Sequence, residues 1–371
     1  MTTPPPPTTS RTFGVEEELL LVGGVSGAPT PAGEQVVALA PGDTVEHEFK
    51  KEQAETGSEP CRSADELVGQ LRELRAVAAR AADRSGVRIA ALATSPLRVR
   101  PTATPDERYR RMHDRFGVIA DRQLTCGQHV HVGIESRAEG VGVLDRIGPW
   151  LPVILALSAN SPFWQGVDTG YASFRTVLWG MWPSALPTAP FGDESTYDTA
   201  VSELIESGAA LDDGMVYFDA RLSASYPTVE IRVADVCTDV ADAVAIAVLC
   251  RALVDTAARQ WRDGEQPLPM RPELRRAAVW RAARYGLTEE LLDPRTRRPV
   301  PAADAVSGLL EQLDGALTRS GDRERAHHEV ARLLRTGNGA EHQRRADAEG
   351  GLTAVVRDAV RRTVAGAVSN G

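Results

Sequence analysis

The chain has 371 residues, 42% hydrophobic and 25% charged, enough to bury a sizeable core and, at about 150 residues per domain, to allow two or three domains. Its formal net charge of −9 leaves no basic footprint for nucleic acid or an anionic membrane surface. Only two of its 42 basic residues are lysines, the adjacent Lys50 and Lys51, so a Walker P-loop is excluded and a Schiff-base lysine would have to sit in a strongly charged stretch where an amine stays solvated.

Residues 1–11, with four consecutive prolines and a run of Thr and Ser, read as a disordered tail. From Phe13 to Val22 the chain alternates as a strand, with Phe13, Val15, Leu19 and Leu21 on one face and Gly14, Glu16, Glu18 and Leu20 on the other. A second extended stretch is expected near Val45 to Thr56. Ser63-Ala64-Asp65-Glu66 then opens a helix as a capping box, and Gly86 ends it. Val87 to Thr94 and Thr125 to Glu135 read as strands, and Val143 to Ser158 as a helix that Pro149 and Pro152 kink or divide. Asn160 to Arg175 is loop-rich. Val216 to Ala224 and Thr228 to Ala234 read as an antiparallel pair about a Ser225-Tyr226-Pro227 turn.

From Asp239 the chain turns helical, with apolar stripes of helical period over Asp239 to Trp261, Pro272 to Tyr285, Ala302 to Thr318, Arg323 to Arg335 and Leu352 to Val368. The pattern predicts an α+β fold with about six strands in an antiparallel or mixed sheet. No repeat or long linker divides residues 12–371, which read as a single catalytic domain with a helical C-terminal part. Cys61, Cys126, Cys237 and Cys250 form no CxxC pair and follow no apolar leader, which predicts reduced thiols in a soluble, cytoplasmic protein. The longest apolar stretches fall far short of the roughly 20 residues a membrane span requires.

Three patterns carry possible chemistry. Glu16 and Glu18 lie about 6.6 Å apart along a strand and repel by roughly 2.5 kcal/mol at an effective dielectric near 20. An exposed edge strand tolerates that; the alternative is a hard cation such as Mg²⁺ or Mn²⁺, which prefers carboxylate oxygens. His129 and His131 share one face of a strand bordered by Gly127 and Gly133, with room beside them for a metal or a phosphate. On the later strand pair, Asp219, Arg221 and Ser223 share a face, as do Thr228, Glu230 and Arg232, which makes either a salt-bridge ladder or the polar wall of a site. The Asn160–Arg175 loop, with Phe163, Trp164 and Arg175, either holds a substrate or packs as structure. Gly337 to Arg345 reads as a basic turn joining helices. HExxH is absent, and His47, His113, His327 and His328 have no partners at metal spacing.

In order, GVEEELLL, CGQHVHVGI, LSANSPFWQG with DTGYASFR, YFDARLSASYPTVEIRVADV and GNGAEHQRR resemble the type 2 glutamate-cysteine ligase family of ATP-dependent carboxylate-amine ligases, over about Phe13 to Arg345. The resemblance implies a glutamine synthetase-like fold, a curved antiparallel sheet forming a funnel for ATP, Mg²⁺ or Mn²⁺ ions and the acid substrate. It implies Glu16, Glu18, Glu55, His129 and Glu230 as metal ligands. Arg232, Arg221 and Arg175 would be catalytic, and Arg232, His131 and Arg344 would hold the nucleotide. The reaction implied joins the γ-carboxylate of L-glutamate to L-cysteine or another amine through an acyl phosphate, and the resemblance is compatible with a homodimer. The runner-up readings are a metal-dependent hydrolase built on the histidines and acids, and a binding protein that holds ATP or an amino acid without turnover.

Overall fold

The computed structural model describes residues 10–185 and 187–366. Ten strands occur in chain order: β1 (Phe13–Gly23), β2 (Gln53–Gly57), β3 (Val87–Ala90), β4 (Gly127–Gly133), β5 (Phe163–Trp164), β6 (Val167–Asp168), β7 (Ala220–Leu222), β8 (Thr228–Asp235), β9 (Glu290–Asp293) and β10 (Arg298–Pro301). Six of them form one sheet in the order β2-β1-β4-β8-β7, with β3 also pairing with β1. All five pairings are antiparallel, as expected of the α+β fold.

Alternation along β1 decides its two faces. Phe13, Val15, Leu19 and Leu21 are buried in the core, and Glu16 and Glu18 turn to the other side. Glu17 shares the core face and is fully buried. It accepts hydrogen bonds from Arg75 Nε (2.8 Å) and Nη2 (2.6 Å), on the helix Ala64–Arg84. Arg75 spends its remaining donors on the carbonyls of Thr238 (2.6 Å), Cys237 (2.7 Å) and Thr363 (3.3 Å), so one guanidinium joins β1, the exit of β8 and the last helix.

The helix Ala64–Arg84 carries the expected Ser63/Glu66 capping box. The proline-containing helix divides as expected, into Arg137–Ile147 and Leu151–Ser158 bent by 71°, but it starts earlier, because Ser136 caps it. Val240–Arg262 buries nearly its whole length under the sheet. The stretch Leu352 to Val368, read as a separate helix, forms as far as Thr363 the second half of Gly339–Thr363, which starts at an Asn338/Glu341 capping box and breaks at Gly350 and Gly351; residues 367 and 368 lie outside the described residues. Among the described residues no single helix is long and apolar enough to cross a membrane; the bent pair passes that test only together, and Leu151–Ser158 is buried throughout.

Other expectations need correction. The stretch Val45 to Thr56 is not one strand. It folds back on itself, Glu46 and Glu55 exchanging backbone hydrogen bonds of 2.8 and 3.1 Å, and only Gln53–Gly57 joins the sheet. Lys50 is not solvated: it is buried with Nζ 4.2 Å from the Phe49 ring centroid, and burial pulls its amine down to about 8 against the opposing pull of Asp121 and Glu52. Residues 1–9 of the expected tail lie outside the described residues. Arg11 belongs to the folded part, its Nη1 2.7 Å from buried Glu139.

Candidate active site

Strand register assembles the site. Glu18 lies opposite Glu55 on β2, Glu16 opposite His129 and Gly14 opposite His131 on β4. His131 lies opposite Glu230 on β8, and Glu230 opposite Arg221 on β7. The side chains that share the polar face therefore come together from five neighbouring strands, and they line a cavity of about 360 Å³. Glu16, Glu18, Glu55, His129, His131, Glu230, Arg221 and Arg232 all line it.

Glu16 is the hub, with its two oxygens 3.3 Å from His129 Nδ1 and 3.2 Å from His131 Nε2. Burial pushes the Glu16 carboxyl up, but hydrogen bonds from the two histidines outweigh it and hold the group far below the ordinary carboxylate range. Glu230 behaves alike: burial is overcome by Arg232 and Arg221, the latter bonded through Nε at 2.7 Å, and the pKa falls well below normal. Arg232 also binds Glu230 directly. His129 is lowered by burial and by Arg232, against the pull of Glu16. With Nδ1 donating to Glu16, its Nε2 lone pair is left without a hydrogen-bond partner, 4.0 Å from Glu18.

On the β2 side the sign reverses. Burial raises Glu55 well above its ordinary value, and Glu48, Glu16 and Glu18 add repulsion. Burial also raises Glu18, again with Glu48, against His129, Arg175 and the backbone N–H of Gly127, which donates at 2.5 Å. Four carboxylates thus crowd one wall while two arginines hold the other.

Glu48 and its neighbours were not legible as site residues. Glu48 draws notice in the sequence only beside His47, in a failed HExxH pattern, and the signal that could have found it is the hairpin-like return that sets Glu46 against Glu55. Arg108, Tyr109 and Trp179 also line the cavity from short helices that carry no motif, Gln53 from the start of β2 and Tyr217 from the stretch before β7.

Two expected site residues lie elsewhere. Arg175 is buried beside the cavity without lining it, near the carbonyls of Arg232 (3.2 Å) and Val233 (3.4 Å), and a Cβ at Gly127 would collide with its guanidinium. Trp179 takes both guanidiniums over its ring, Arg175 at 5.6 Å and Arg232 at 5.8 Å from the centroid. Arg344 does not reach the cavity, because Asp168 (2.9 and 3.0 Å) and the Tyr171 carbonyl take its donors. Asp219, read on the face of Arg221, does not line it either. The Asn160 loop and the Gly337 to Arg345 segment serve architecture: Asn160 N–H donates to Asp235 (2.8 Å), and Gln343 donates to the Asn160 carbonyl (2.7 Å). Phe163 is buried as packing.

The glutamate–cysteine ligase of Francisella tularensis, solved in complex with AMP, superposes on 98% of this chain and 90% of its own, with a TM-score of 0.69 at 13% identity, so the two share a fold. A relative from Paenarthrobacter aurescens (strain TC1), provisionally named glutamate–cysteine ligase 2-1, is 50% identical over 347 residues, 91% of this chain and 90% of the relative. One from Streptomyces coelicolor, provisionally named glutamate–cysteine ligase 2, is 49% identical over 361 residues, 96% of this chain and 99% of the relative. Fold and relatives together define an ATP-dependent carboxylate–amine ligase acting on small molecules. More particularly, the chain belongs to glutamate-cysteine ligase family 2 (GCS2), whose model matches residues 12–364.

Proposed function

We propose that this ligase joins the γ-carboxylate of L-glutamate to an amine, L-cysteine among them, by way of an acyl phosphate. The observation that carries the reading is one cavity with carboxylates and histidines on one wall and Arg221 and Arg232 on the other.

The acids and histidines fit divalent ions. Ligand atoms of Glu16, Glu55 and His129 lie within 4.8 Å of one another, as do those of Glu16, His131 and Glu230. The His129 Nε2 atom is buried without a hydrogen-bond partner, and carboxylate oxygen with imidazole nitrogen suits Mg²⁺ or Mn²⁺. These residues, with Glu18, would hold the ions, which when bound neutralise phosphate charge that would otherwise repel the attacking carboxylate.

A glutamate γ-carboxylate oxygen attacks the terminal phosphorus of ATP, forming the O–P bond as the bond to the ADP oxygen breaks. Arg221 and Arg232 stabilise charge on the transferred phosphoryl oxygens. The amine nitrogen then attacks the acyl carbon, the C–N bond forms and phosphate leaves. The ammonium gives up two protons in all, one to phosphate and one to solvent. Arg175, over the Trp179 ring that also carries Arg232, positions Arg232 through that ring and through its backbone carbonyl. All four cysteines are buried and free, which supports a reducing cytoplasm as the place of work.

The test is incubation with Mg²⁺, ATP, L-glutamate and hydroxylamine. Glutamyl hydroxamate with equimolar ADP is expected. Metal-dependent hydrolysis without ATP, or nucleotide binding without products, would contradict the reading.

Proton uptake gives a second expectation. Glu18 and Glu55, raised above the ordinary 4.5, keep protons that the unfolded chain has lost, so their contribution to stability is present below about pH 4.5 and fades as pH rises through their folded values. Glu16 and Glu230, depressed, contribute above 4.5 and lose that contribution on acidification. A cation must expel the protons on Glu18 and Glu55. Mg²⁺ should therefore raise the melting temperature more at pH 8 than at pH 6, with calorimetric proton release on binding. Equal shifts and no proton release would contradict it.

A further inference from the structure

A second cavity of about 590 Å³ adjoins the first and shares Glu16, Glu55, His131 and Tyr226 with it. Its charge is of one sign. Asp43, Glu46 and Glu59 line it together with Glu16 and Glu55, and none of its described lining residues is Arg or Lys. By contrast Arg108, Arg221 and Arg232 all line the first cavity. Asp43, Glu46 and Glu59 are exposed and form no ion pair among the described residues. Tyr226, on the turn between β7 and β8, is 62% exposed and sets its ring edge-on to His131, centroids 6.1 Å apart. It thus offers an aromatic face at the junction of the two spaces, where an ammonium ion binds well.

We propose that the second cavity is the entrance for the amine, and that its acid walls select a primary amine without a carboxylate, so that L-cysteine is accepted but not preferred. The inference rests on the ligase reading and narrows its amine. The three anionic groups to be handled with the nucleotide, the phosphates and the glutamate carboxylates, find arginines in the first cavity. An amino-acid acceptor would bring another carboxylate into a space whose described lining offers no arginine or lysine to receive it, whereas the ammonium group alone is attracted by the Asp43, Glu46 and Glu59 walls. Discrimination then comes from repulsion as much as attraction.

Cysteamine and L-cysteine differ only by that carboxylate, which makes them the probe. With ATP, Mg²⁺ and L-glutamate held constant, kcat/KM for cysteamine should exceed that for L-cysteine by at least about tenfold. Paired reversal, Glu46→Lys with Glu59→Lys, changes two exposed side chains and should bring the ratio toward or below one. Because the ratio is taken within one protein, general damage to the fold does not move it. Wild-type preference for L-cysteine, equal use of the two amines, or a ratio untouched by the reversal would overturn the inference while the ligase reading stands. Failure to form hydroxamate from glutamate would instead remove the ligase reading and this inference with it.

Discussion

Glu16→Gln will leave the protein folded and lower ligase turnover by at least about a hundredfold. Gln keeps the volume and an oxygen to accept a hydrogen bond, but it removes the charge that sits between His129 and His131 and belongs to both groupings of potential ligand atoms. In the metal-free protein the substitution relieves repulsion on Glu55 but gives up the charge that His129 and His131 stabilise, so stability should fall only slightly, while the Mg²⁺-dependent gain in melting temperature disappears. Glu230→Gln makes a contrast. It also lowers turnover, but Arg221 and Arg232 lose their shared counter-charge in a buried setting, so stability falls as well. Near wild-type turnover in Glu16→Gln, measured as the rate of hydroxamate formation, would refute its placement in the site.

The largest effect on stability is expected away from the cavity. Glu17 and Arg75 are both fully buried, and Glu17→Gln leaves the guanidinium charged without its paired carboxylate. Urea unfolding should show a loss of about 3–5 kcal/mol. The double substitution Glu17→Leu with Arg75→Met removes both charges and should recover part of that loss. Recovery stays incomplete, because the carbonyls of Cys237, Thr238 and Thr363 lose their donor. A single-variant cost under about 1 kcal/mol would mean that the pair does not hold β1 to the C-terminal helices.

These two neighbours, Glu16 and Glu17, mark what a sequence discloses. Alternation is local, so the parity of β1 is readable and assigns Glu16 and Glu18 to one side. The same parity places Glu17 with Phe13 and Leu19, but its partner stands 58 residues away on a helix, and no short pattern joins them. His129, His131 and Glu230 were legible because each lies on a strand whose parity is read locally, and antiparallel pairing brings them together despite a register shift between Gln128 and Val130. Glu48 was hidden by a turn inside a stretch that reads as continuous strand. Arg175 and Arg344 stand in recognisable motifs, but those motifs encode buried joints around Asp235 and Asn160 rather than cavity lining. The last helix was read as starting too late because its first turns, Gly339 to Arg345, are polar and rich in small residues. Its capping box, Asn338 with Glu341, was present in the sequence and was the better signal.

The central claim is that the polar face of one antiparallel sheet gathers acids and histidines to hold divalent ions for a phosphoryl transfer. Anomalous scattering at the manganese edge, from crystals grown with Mn²⁺ and a non-hydrolysable ATP analogue, tests it most directly. The expected map has Mn²⁺ bound by members of the Glu16, Glu55, His129 and Glu16, His131, Glu230 groupings, with the nucleotide phosphates beside them. Manganese and phosphates bound elsewhere, with these side chains uncoordinated, would contradict it.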